Sequence, residues 1–297
     1  MNEPRVTGSG PVVPRGLAER ARDISDGRLA PAVPRDAATV ILLRQAADTG
    51  AGGAGFEAFL LRRTAELEFA PGAYVFPGGS VDARDADPGV GWAGPGPADF
   101  AALLDVSPDR ARALVCAAVR ETFEESGVLL AGPSQDELAG DSTVLAADRH
   151  ALLTGSASLA EVLGRRGLIL RTDLLTPWAR WITPEVSPRR FDTWFFAAAL
   201  PPGQTATAAP EGFADHADPG ESESGTWMRP AAALEAAQVG QITLLPPTAV
   251  TLGELAGHPG LAAILARRQV ITPRLPTVVV EDGRVRLHLP PAGEERP

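Results

Sequence analysis

The sequence predicts an α/β fold in a single domain, with additional helices and a C-terminal hairpin. Three observations support this prediction. Strand-like apolar runs alternate with segments of helical periodicity, and no long linker separates them. Hydrophobic residues make up 44% of the 297 residues, which is ample for a packed core. Residues 36–297 are therefore predicted to form the domain. Residues 1–35, rich in Pro, Gly, Arg and Asp, are predicted to be a flexible N-terminal arm.

The domain is predicted to begin with short strands. Residues 38–43 and 56–61 are expected to pair across a glycine-rich loop, and residues 73–76 form a third strand that runs into a proline–glycine turn. Residues 86–106, which follow, contain repeated Gly and Pro. They are predicted to form a long loop with one short helix.

A longer helix is predicted from Ser107 to Gly127. Ser107 is a good N-cap residue, Pro108 suits the first helical position, and Gly127 can close the helix in a left-handed conformation. Apolar residues recur between them at spacings of three and four, so one face should be buried. Cys116 lies in this apolar helix. As the only cysteine it cannot form an internal disulfide, and it is predicted to be a core residue.

The last turns of this helix carry Glu121, Glu124 and Glu125 on one arc, at about 100° per residue. Their like charges repel by about 0.2–0.5 kcal/mol per exposed pair, and the helix dipole disfavours negative charge at this end. Divalent cations would reverse both effects, because Mg²⁺ binds carboxylate oxygens. The residues alone leave two readings open, a solvated acidic helix end or a metal site.

The remaining sequence contains further helical and strand-like segments. Helices are predicted over residues 145–153, 159–163, 230–237, 247–255 and 261–268. Apolar or strand-like segments occupy residues 168–170, 178–182, 191–200 and 226–228. Near the C-terminus, residues 277–280 and 284–289 flank Asp282-Gly283. This dipeptide between two apolar runs is a strong signal for a hairpin.

The charge of the chain argues against a nucleic-acid partner. The formal net charge is −10 and the pI is near 5.0, whereas a phosphate backbone favours a basic face. No apolar run reaches membrane-spanning length and no signal pattern opens the sequence, so a cytoplasmic protein without a membrane partner is expected. A phosphorylated small molecule is compatible with the acidity, because metal ions can neutralise it locally. Homodimer formation is left open.

Two segments together resemble the Nudix box. The family pattern is a glycine, five residues, Glu, seven residues, then Arg-Glu-x-x-Glu-Glu-x-Gly and an aliphatic residue. Residues 120–128 match the second half in full, and Gly79 with Asp85 matches the first half, with Asp where the family has Glu. The intervening 34 residues exceed the family's seven, so residues 86–106 are interpreted as an insertion within the box. The resemblance implies a Nudix-type α/β/α sandwich with a mixed sheet.

The resemblance also implies a metal site and catalytic roles. The implied ligands of Mg²⁺ or Mn²⁺ are Glu121, Glu124, Glu125 and the backbone oxygen of Gly78. Glu121 would either share the metal or polarise the attacking water, which makes it a catalytic candidate. Arg120 is the second catalytic candidate. It would hold either Glu121 or the Asp82/Asp85 pair by a charge-assisted hydrogen bond.

The general base is predicted to be a glutamate beyond the box, as in some members of the family. Glu221 resembles the family's acidic residue that lies six positions before a tryptophan, here Trp227. Glu223 and Glu185 are the alternatives that the sequence leaves open.

The segment before the box resembles that of coenzyme A diphosphatases. It agrees in spacing at Arg63, Leu67, Gly72 and Phe76 and departs from the motif at Leu61, Thr64 and Glu68. The long insertion, together with residues 181–184 and 190–196, further resembles the animal peroxisomal branch of those enzymes. The predicted substrate-binding residues are Arg62 and Arg63, for phosphate groups, and Gly79, which lets the backbone approach the substrate closely.

The leading hypothesis is a metal-dependent Nudix diphosphatase that hydrolyses the pyrophosphate of a nucleoside diphosphate derivative, with coenzyme A or an acyl-CoA favoured. Hydrolysis of ADP-ribose or a dinucleotide is the first alternative. The second is a non-catalytic Nudix-fold nucleotide-binding module. The complete set of box carboxylates argues against that module, because a binder has no reason to keep every one.

Overall fold

The computed structural model describes residues 15–46, 55–64, 71–208, 222–281 and 284–288. The chain divides into two compact units. The larger unit comprises residues 37–178 and 194–271, and the smaller one comprises residues 1–36, 179–193 and 272–297. Both units contain described and undescribed residues, and the statements below concern the described ones.

The helices and strands occupy these positions. The helices are α1 (Arg15–Ser25), α2 (Pro97–Leu104), α3 (Pro108–Ser126), α4 (Ala146–Leu153), α5 (Leu159–Arg166), α6 (Pro230–Gln238), α7 (Pro246–Ala256) and α8 (Leu261–Leu265). The strands are β1 (Arg35–Gln45), β2 (Phe56–Arg63), β3 (Ala73–Val75), β4 (Gly78–Ser80), β5 (Trp92–Ala93), β6 (Ala131–Gly132), β7 (Ile169–Arg171), β8 (Thr176–Ile182), β9 (Phe191–Ala199), β10 (Ser222–Met228), β11 (Thr243–Leu244), β12 (Pro273–Arg274), β13 (Thr277–Glu281) and β14 (Arg284–His288).

The larger unit is built on a mixed sheet. Its strands follow the order β11-β3-β2-β1-β9, with β10 beside β2 and β4 beside β1. The β1–β2 pair is antiparallel and aligns Leu43 with Ala58, whereas β11 runs parallel to β3. Strand β4 is antiparallel to β1 and aligns Gly78 with Thr39. This pairing fixes the position of the two glycines of the box. The predicted mixed sheet and α/β class are confirmed.

The buried face of α3 forms the centre of the hydrophobic core in the larger unit. Leu114, Val119 and Phe123 have no exposed surface, in agreement with the predicted periodicity. They belong to one cluster with Phe100 of α2 and Phe196 of β9. Cys116 lies in the same cluster, and burial raises the pKa of its thiol to about 12, which keeps the thiol protonated and unreactive.

The insertion within the box is an ordered part of the larger unit rather than a plain loop. It contains the short helix that the sequence predicts, α2, and also strand β5, which pairs in parallel with β7. The buried Thr172 hydroxyl lies 2.9 Å from the carbonyl oxygen of Ala93 and 2.8 Å from that of Pro95. The insertion is therefore attached to the segment that follows α5.

Several elements of the larger unit differ in length from their predictions, among them β10 and α8. Strand β10 begins at Ser222 rather than at residue 226, because its hydrogen-bonded register with β2 continues as far as Arg63. Helix α8 ends at Leu265, short of the predicted residue 268. The guanidinium of Arg267 instead lies 4.3 Å from the centre of the Trp178 ring and donates to the Trp178 carbonyl oxygen. These tertiary contacts replace the last helical turn.

The smaller unit contains α1, the outer residues of β8 and β9, and the C-terminal strands. Helix α1 lies within the segment predicted to be an arm, and its Arg20 donates to the Val186 carbonyl oxygen at 3.0 Å. The domain boundary at residue 36 stays a prediction. Strands β13 and β14 pair in antiparallel fashion, with Thr277 opposite His288, so the predicted C-terminal hairpin pairing is confirmed. Its predicted turn, Asp282-Gly283, lies outside the described residues.

No helix in the described part of the chain is long and apolar enough to cross a membrane.

Candidate active site

The candidate site is organised by helix α3, whose two ends are capped as the sequence predicts. The Ser107 hydroxyl accepts a hydrogen bond from the Arg110 backbone N–H at 3.3 Å, and Pro108 opens the helix. Gly127 has a φ of +70° and donates from its backbone to the Phe123 carbonyl oxygen at 2.9 Å. A left-handed residue is what this helix end requires, and glycine adopts it without steric cost.

Arg120 makes hydrogen bonds to residues from both halves of the box. Its guanidinium forms a two-pronged ion pair with Asp85, with Nε–Oδ1 and Nη2–Oδ2 distances of 3.0 and 2.9 Å. Nη1 donates to Glu121 at 2.8 Å and to Glu124 at 3.1 Å, and Nη2 also reaches the Ser80 carbonyl oxygen at 2.8 Å. One buried cation therefore joins both halves of the box across the insertion.

Asp85 is held in place by its own turn. Residues Ala83–Ala86 form a short 3₁₀ helix, and the Asp82 backbone N–H donates to the Asp85 carboxylate at 2.8 Å. Asp85 is only 2% exposed, so its charge requires the Arg120 partner. The sequence left open whether Arg120 binds Glu121 or the Asp82/Asp85 pair. In the structure Arg120 binds both Glu121 and Asp85. Asp82 pairs instead with Arg84 at 3.0 Å.

The two glycines of the box bring the backbone against the glutamates of α3. The Gly78 backbone N–H donates to Glu125 Oε2 at 2.8 Å. A Cβ added to Gly79 would lie 2.6 Å from both carboxylate oxygens of Glu121, and one added to Gly78 would lie 2.5 Å from the Ala38 carbonyl oxygen. At Gly78 the close atom belongs to the backbone, so glycine is required there, whereas a side chain at Gly79 would displace the Glu121 carboxylate.

The glutamates are not the solvated helix end that the acidic run alone would allow. The side chains of Glu121 and Glu124 are 12% and 13% exposed. Burial raises the pKa of Glu121 to about 8; Arg120 opposes this rise and the Glu124 charge adds to it. Burial also raises the pKa of Glu124. Three carboxyl groups, including that of Asp85, share one guanidinium, so full ionisation would give the buried cluster an excess of negative charge, which the raised pKa values counteract.

The donor chemistry of this cluster fits a hard divalent cation. Carboxylate oxygens are the ligands that Mg²⁺ and Mn²⁺ prefer, and an added positive charge would offset the excess negative charge. Within the described ranges, no group of three His, Cys, Asp or Glu side chains is already arranged to hold an ion. Arg120 Nη1 instead bonds to both Glu121 and Glu124. The ligand set Glu121, Glu124, Glu125 and Gly78 stays a prediction.

The predicted substrate-binding residues fall into two places. Gly79 lies against Glu121, as described above. Arg62 is exposed on β2 and lines a surface groove of about 500 Å³ together with Gly72, Tyr74 and Gln241. None of the glutamates of α3 lines this groove. Arg63, the next residue, is half-buried, and its backbone pairs with Ser222 of β10.

The predicted general base, Glu221, lies outside the described residues. The strand that follows it is described, and Ser222 aligns with Arg63 of β2. Of the alternatives, Glu185 is an exposed residue of the smaller unit. The structure therefore leaves the assignment of the base as a prediction.

Sequence reasoning missed one residue at this site, Arg149 of α4. Its Nε donates to the Glu124 backbone carbonyl oxygen at 2.9 Å. An indirect signal was available, because the last turn of α3 contains no basic residue although a helix C-terminus favours one. That signal indicates a missing cation but does not identify which residue supplies it.

These features place the chain in the Nudix class. A family model described as NUDT19 Nudix domain matches residues 98–255, which is more than half of the chain and includes all of α3. The chain belongs to this NUDT19 Nudix domain family. The predicted membership of the Nudix hydrolases, in the branch that resembles coenzyme A diphosphatases, is confirmed.

Two relatives of this chain are named as acyl-coenzyme A diphosphatases. Acyl-coenzyme A diphosphatase NUDT19 from Gallus gallus is 28% identical over 256 residues, which cover 72% of this chain and 65% of the relative. The Homo sapiens protein of the same name is 30% identical over 249 residues, covering 70% and 62%. The matched region thus spans less than two thirds of either relative.

A solved structure supports the fold. The crystal structure of a NUDIX hydrolase from Alicyclobacillus acidocaldarius is similar to this chain with a TM-score of 0.62 and 26% sequence identity. The similarity covers 80% of this chain and 98% of that one. The Nudix-type α/β architecture therefore extends over most of the chain.

Proposed function

We propose that this protein is a Mg²⁺- or Mn²⁺-dependent diphosphatase that hydrolyses the pyrophosphate of a nucleoside diphosphate derivative, with coenzyme A or an acyl-CoA as the favoured substrate. The observation that carries this proposal is the buried cluster of Glu121 and Glu124 around Arg120. A structural helix end gains nothing from burying an excess of carboxylates, whereas a cation site requires it. The names of the two NUDT19 relatives support the choice of substrate.

The residues of the cluster would each contribute a separate function. Glu121, Glu124, Glu125 and the Gly78 carbonyl would hold the cation, which would neutralise charge on the pyrophosphate oxygens. Arg120 would orient Glu121 and Glu124 through the hydrogen bonds described above. Gly79 would allow the substrate to approach the backbone closely.

The proton of the attacking water requires an acceptor. We assign this role to the Glu221 carboxylate, with Glu223 and Glu185 as alternatives. The water oxygen would attack phosphorus, the bridging P–O bond would break, and the leaving phosphate would depart as an anion. With coenzyme A the products would be 4′-phosphopantetheine and adenosine 3′,5′-bisphosphate.

Arg62 and Arg63 are proposed to bind phosphate groups of the substrate. Arg62 opens onto the groove beside Tyr74, and strand β3, which contains Tyr74, continues directly toward Gly78. The four Cα–Cα steps from Tyr74 to Gly78 span at most about 13–14 Å. A nucleotide at the cation site could therefore extend to the groove.

The decisive experiment compares Glu124→Gln with the wild-type enzyme. Loss of one carboxylate ligand should lower kcat/KM for coenzyme A by roughly 10²-fold or more, because the cation site would be incomplete. The matched control is Glu235→Gln, the same chemical change at an exposed position of α6, which should leave activity unchanged. Wild-type turnover in Glu124→Gln would contradict the proposal.

A substrate panel identifies the favoured compound. Coenzyme A, acyl-CoAs, ADP-ribose, NADH and diadenosine compounds would be incubated with Mg²⁺ or Mn²⁺, and the products weighed by mass spectrometry. Preference for ADP-ribose or a dinucleotide would retain the chemistry and change the substrate. Tight nucleotide binding without any turnover would instead favour a non-catalytic binding module. The cytoplasmic location and a homodimer stay predictions.

A further inference from the structure

The C-terminal end of α3 presents an electrostatic problem. The last carbonyl groups of any helix lack partners within the helix, and the dipole places partial negative charge there. In α3 this end also carries Glu121, Glu124 and Glu125, and its last turn contains no basic residue. The missing partners and the missing positive charge must come from elsewhere in the fold.

Distant residues satisfy these carbonyl groups. The Ser126 carbonyl oxygen accepts from the Thr207 backbone N–H at 2.8 Å. The Glu124 carbonyl oxygen accepts from Arg149 Nε at 2.9 Å. Arg149 belongs to α4, and Thr207 lies in the segment after β9. Two separate parts of the chain therefore meet at the end of the helix that carries the glutamates.

Arg149 also joins these two parts to each other. While its Nε bonds to Glu124, its Nη2 donates to the Thr207 carbonyl oxygen at 3.0 Å. Gly127 leaves room for this arrangement, because a Cβ there would lie 2.9 Å from Arg149 Nη1. A planar guanidinium can donate in two directions at once, which the ammonium of a lysine cannot do with the same geometry.

We propose that Arg149 is a positioning residue for the cation site: by holding the Glu124 backbone and the Thr207 carbonyl together, it fixes where Glu124 and Glu125 present their carboxylates. This inference rests on the proposed function, because positioning matters only if the glutamates bind a cation. It adds a residue from outside the box, contributed by α4, to those that shape the site.

The surroundings of Arg149 argue against a role through its charge alone. The side chain is half-buried, and burial lowers the pKa of its guanidinium, while the nearby Glu125 carboxylate opposes that change. A cation beside a divalent metal ion repels it, so a residue selected only to assist metal binding through its charge would not be placed here. The geometric role accounts for both bonds.

The test uses Arg149→Lys and Arg149→Gln in the full-length protein. Mn²⁺ affinity is measured by titration calorimetry on the metal-free protein, and kcat and KM are measured with the substrate that the panel identifies. Both variants should weaken Mn²⁺ binding by roughly 10-fold or more, as loss of a residue that orients ligands does, and should lower kcat with little change in KM.

The matched control is Arg165→Gln on α5. Arg165 pairs with Asp148 at 2.8 Å, and Arg166 also bonds to Asp148, so the change removes an equal charge without orphaning the carboxylate. It should leave Mn²⁺ affinity and kcat unchanged. If Arg149→Gln does not fold, Arg149→Lys alone decides.

Three results would overturn the inference. Wild-type Mn²⁺ affinity in Arg149→Lys would show that charge rather than geometry matters. A lower melting temperature with unchanged Mn²⁺ affinity and kcat would show a purely structural role. A change in KM alone would show a substrate contact. By contrast, a wild-type protein that neither binds Mn²⁺ nor turns over any substrate refutes the proposed function itself.

Discussion

The ion pair between Arg120 and Asp85 is the most consequential contact at the scale of single residues. Both side chains are buried, and Asp85 is the carboxylate that Arg120 binds through two of its nitrogens. The sequence shows Asp where the Nudix pattern has Glu, thirty-five residues before the arginine. The structure shows that the shorter acid still reaches Arg120, because the 3₁₀ turn Ala83–Ala86 places it there.

Asp85→Asn is expected to destabilise the fold strongly. Arg120 keeps Glu121 and Glu124, but it loses its charge-assisted bonds to the buried Asp85, and such a hydrogen bond is worth about 1.5–3 kcal/mol in the free energy of unfolding. The control is Asp82→Asn, the same change three residues earlier, where the side chain is 37% exposed and pairs with Arg84. That change should cost about 1 kcal/mol or less. Urea denaturation of both variants measures the difference, and equal losses would contradict the assigned importance of Asp85.

Gly79→Ala is expected to disturb the cation site more than the fold. The new Cβ would approach both oxygens of Glu121 to 2.6 Å, so this carboxylate must move. Mn²⁺ affinity, measured by calorimetry, should fall by roughly 10-fold. Gly253→Ala in α7 is the control, because nothing lies within 4 Å of its added Cβ. Unchanged Mn²⁺ affinity in Gly79→Ala would place the cation away from Glu121.

At the scale of elements, the insertion within the box is integrated into the fold. Strand β5 pairs with β7, helix α2 packs in the same core as α3, and the backbone N–H of Ile271 donates to the Leu103 carbonyl oxygen at 2.8 Å. The insertion therefore packs against the helix that carries the glutamates. Its length separates the two halves of the box in sequence without separating them in space.

Thr172→Val should loosen the insertion. It removes a hydroxyl whose single hydrogen is shared between the Ala93 and Pro95 carbonyl oxygens, and a buried acceptor left unsatisfied costs about 1–3 kcal/mol. Hydrogen exchange should become faster in residues 92–104. The control, Thr176→Val, removes an equally buried hydroxyl that donates to the Leu265 carbonyl oxygen. If exchange in residues 92–104 rises equally in both variants, the assigned tether is wrong.

At the scale of the whole molecule, both the acidic character of the chain and the buried carboxylates favour the binding of cations. The net charge of −10 favours the binding of cations in general, whereas the specific site that we propose is the cluster around Arg120 in the larger unit. A cation that binds only the folded state stabilises it in proportion to its occupancy.

Addition of Mg²⁺ or Mn²⁺ should therefore raise the melting temperature, and EDTA should reverse the effect. At a free cation concentration of about 100 times Kd, the expected stabilisation is about 2.7 kcal/mol. For a domain of this size that corresponds to a shift of roughly 5–10 °C. Differential scanning calorimetry measures the shift. Glu124→Gln should lose most of it, and an equal shift in Glu124→Gln would indicate non-specific binding.

The sequence by itself determined the α/β class, the limits of α3 and the glutamates that it carries. These features depend on local signals, such as the Ser107 cap, the apolar periodicity and the Gly127 stop, which act within a few residues. The resemblance to the Nudix box added the expectation of a cation site, because the box contains the carboxylates that would bind the cation.

Only the tertiary structure decided which partners those residues have. Arg120 binds Asp85, Gly78 donates to Glu125, and Arg149 caps the helix end. The insertion also contains strand β5 beside its predicted helix, because β7 is available as a partner for that strand. Such contacts join positions tens of residues apart, and their geometry depends on how the whole core packs, which no local pattern encodes.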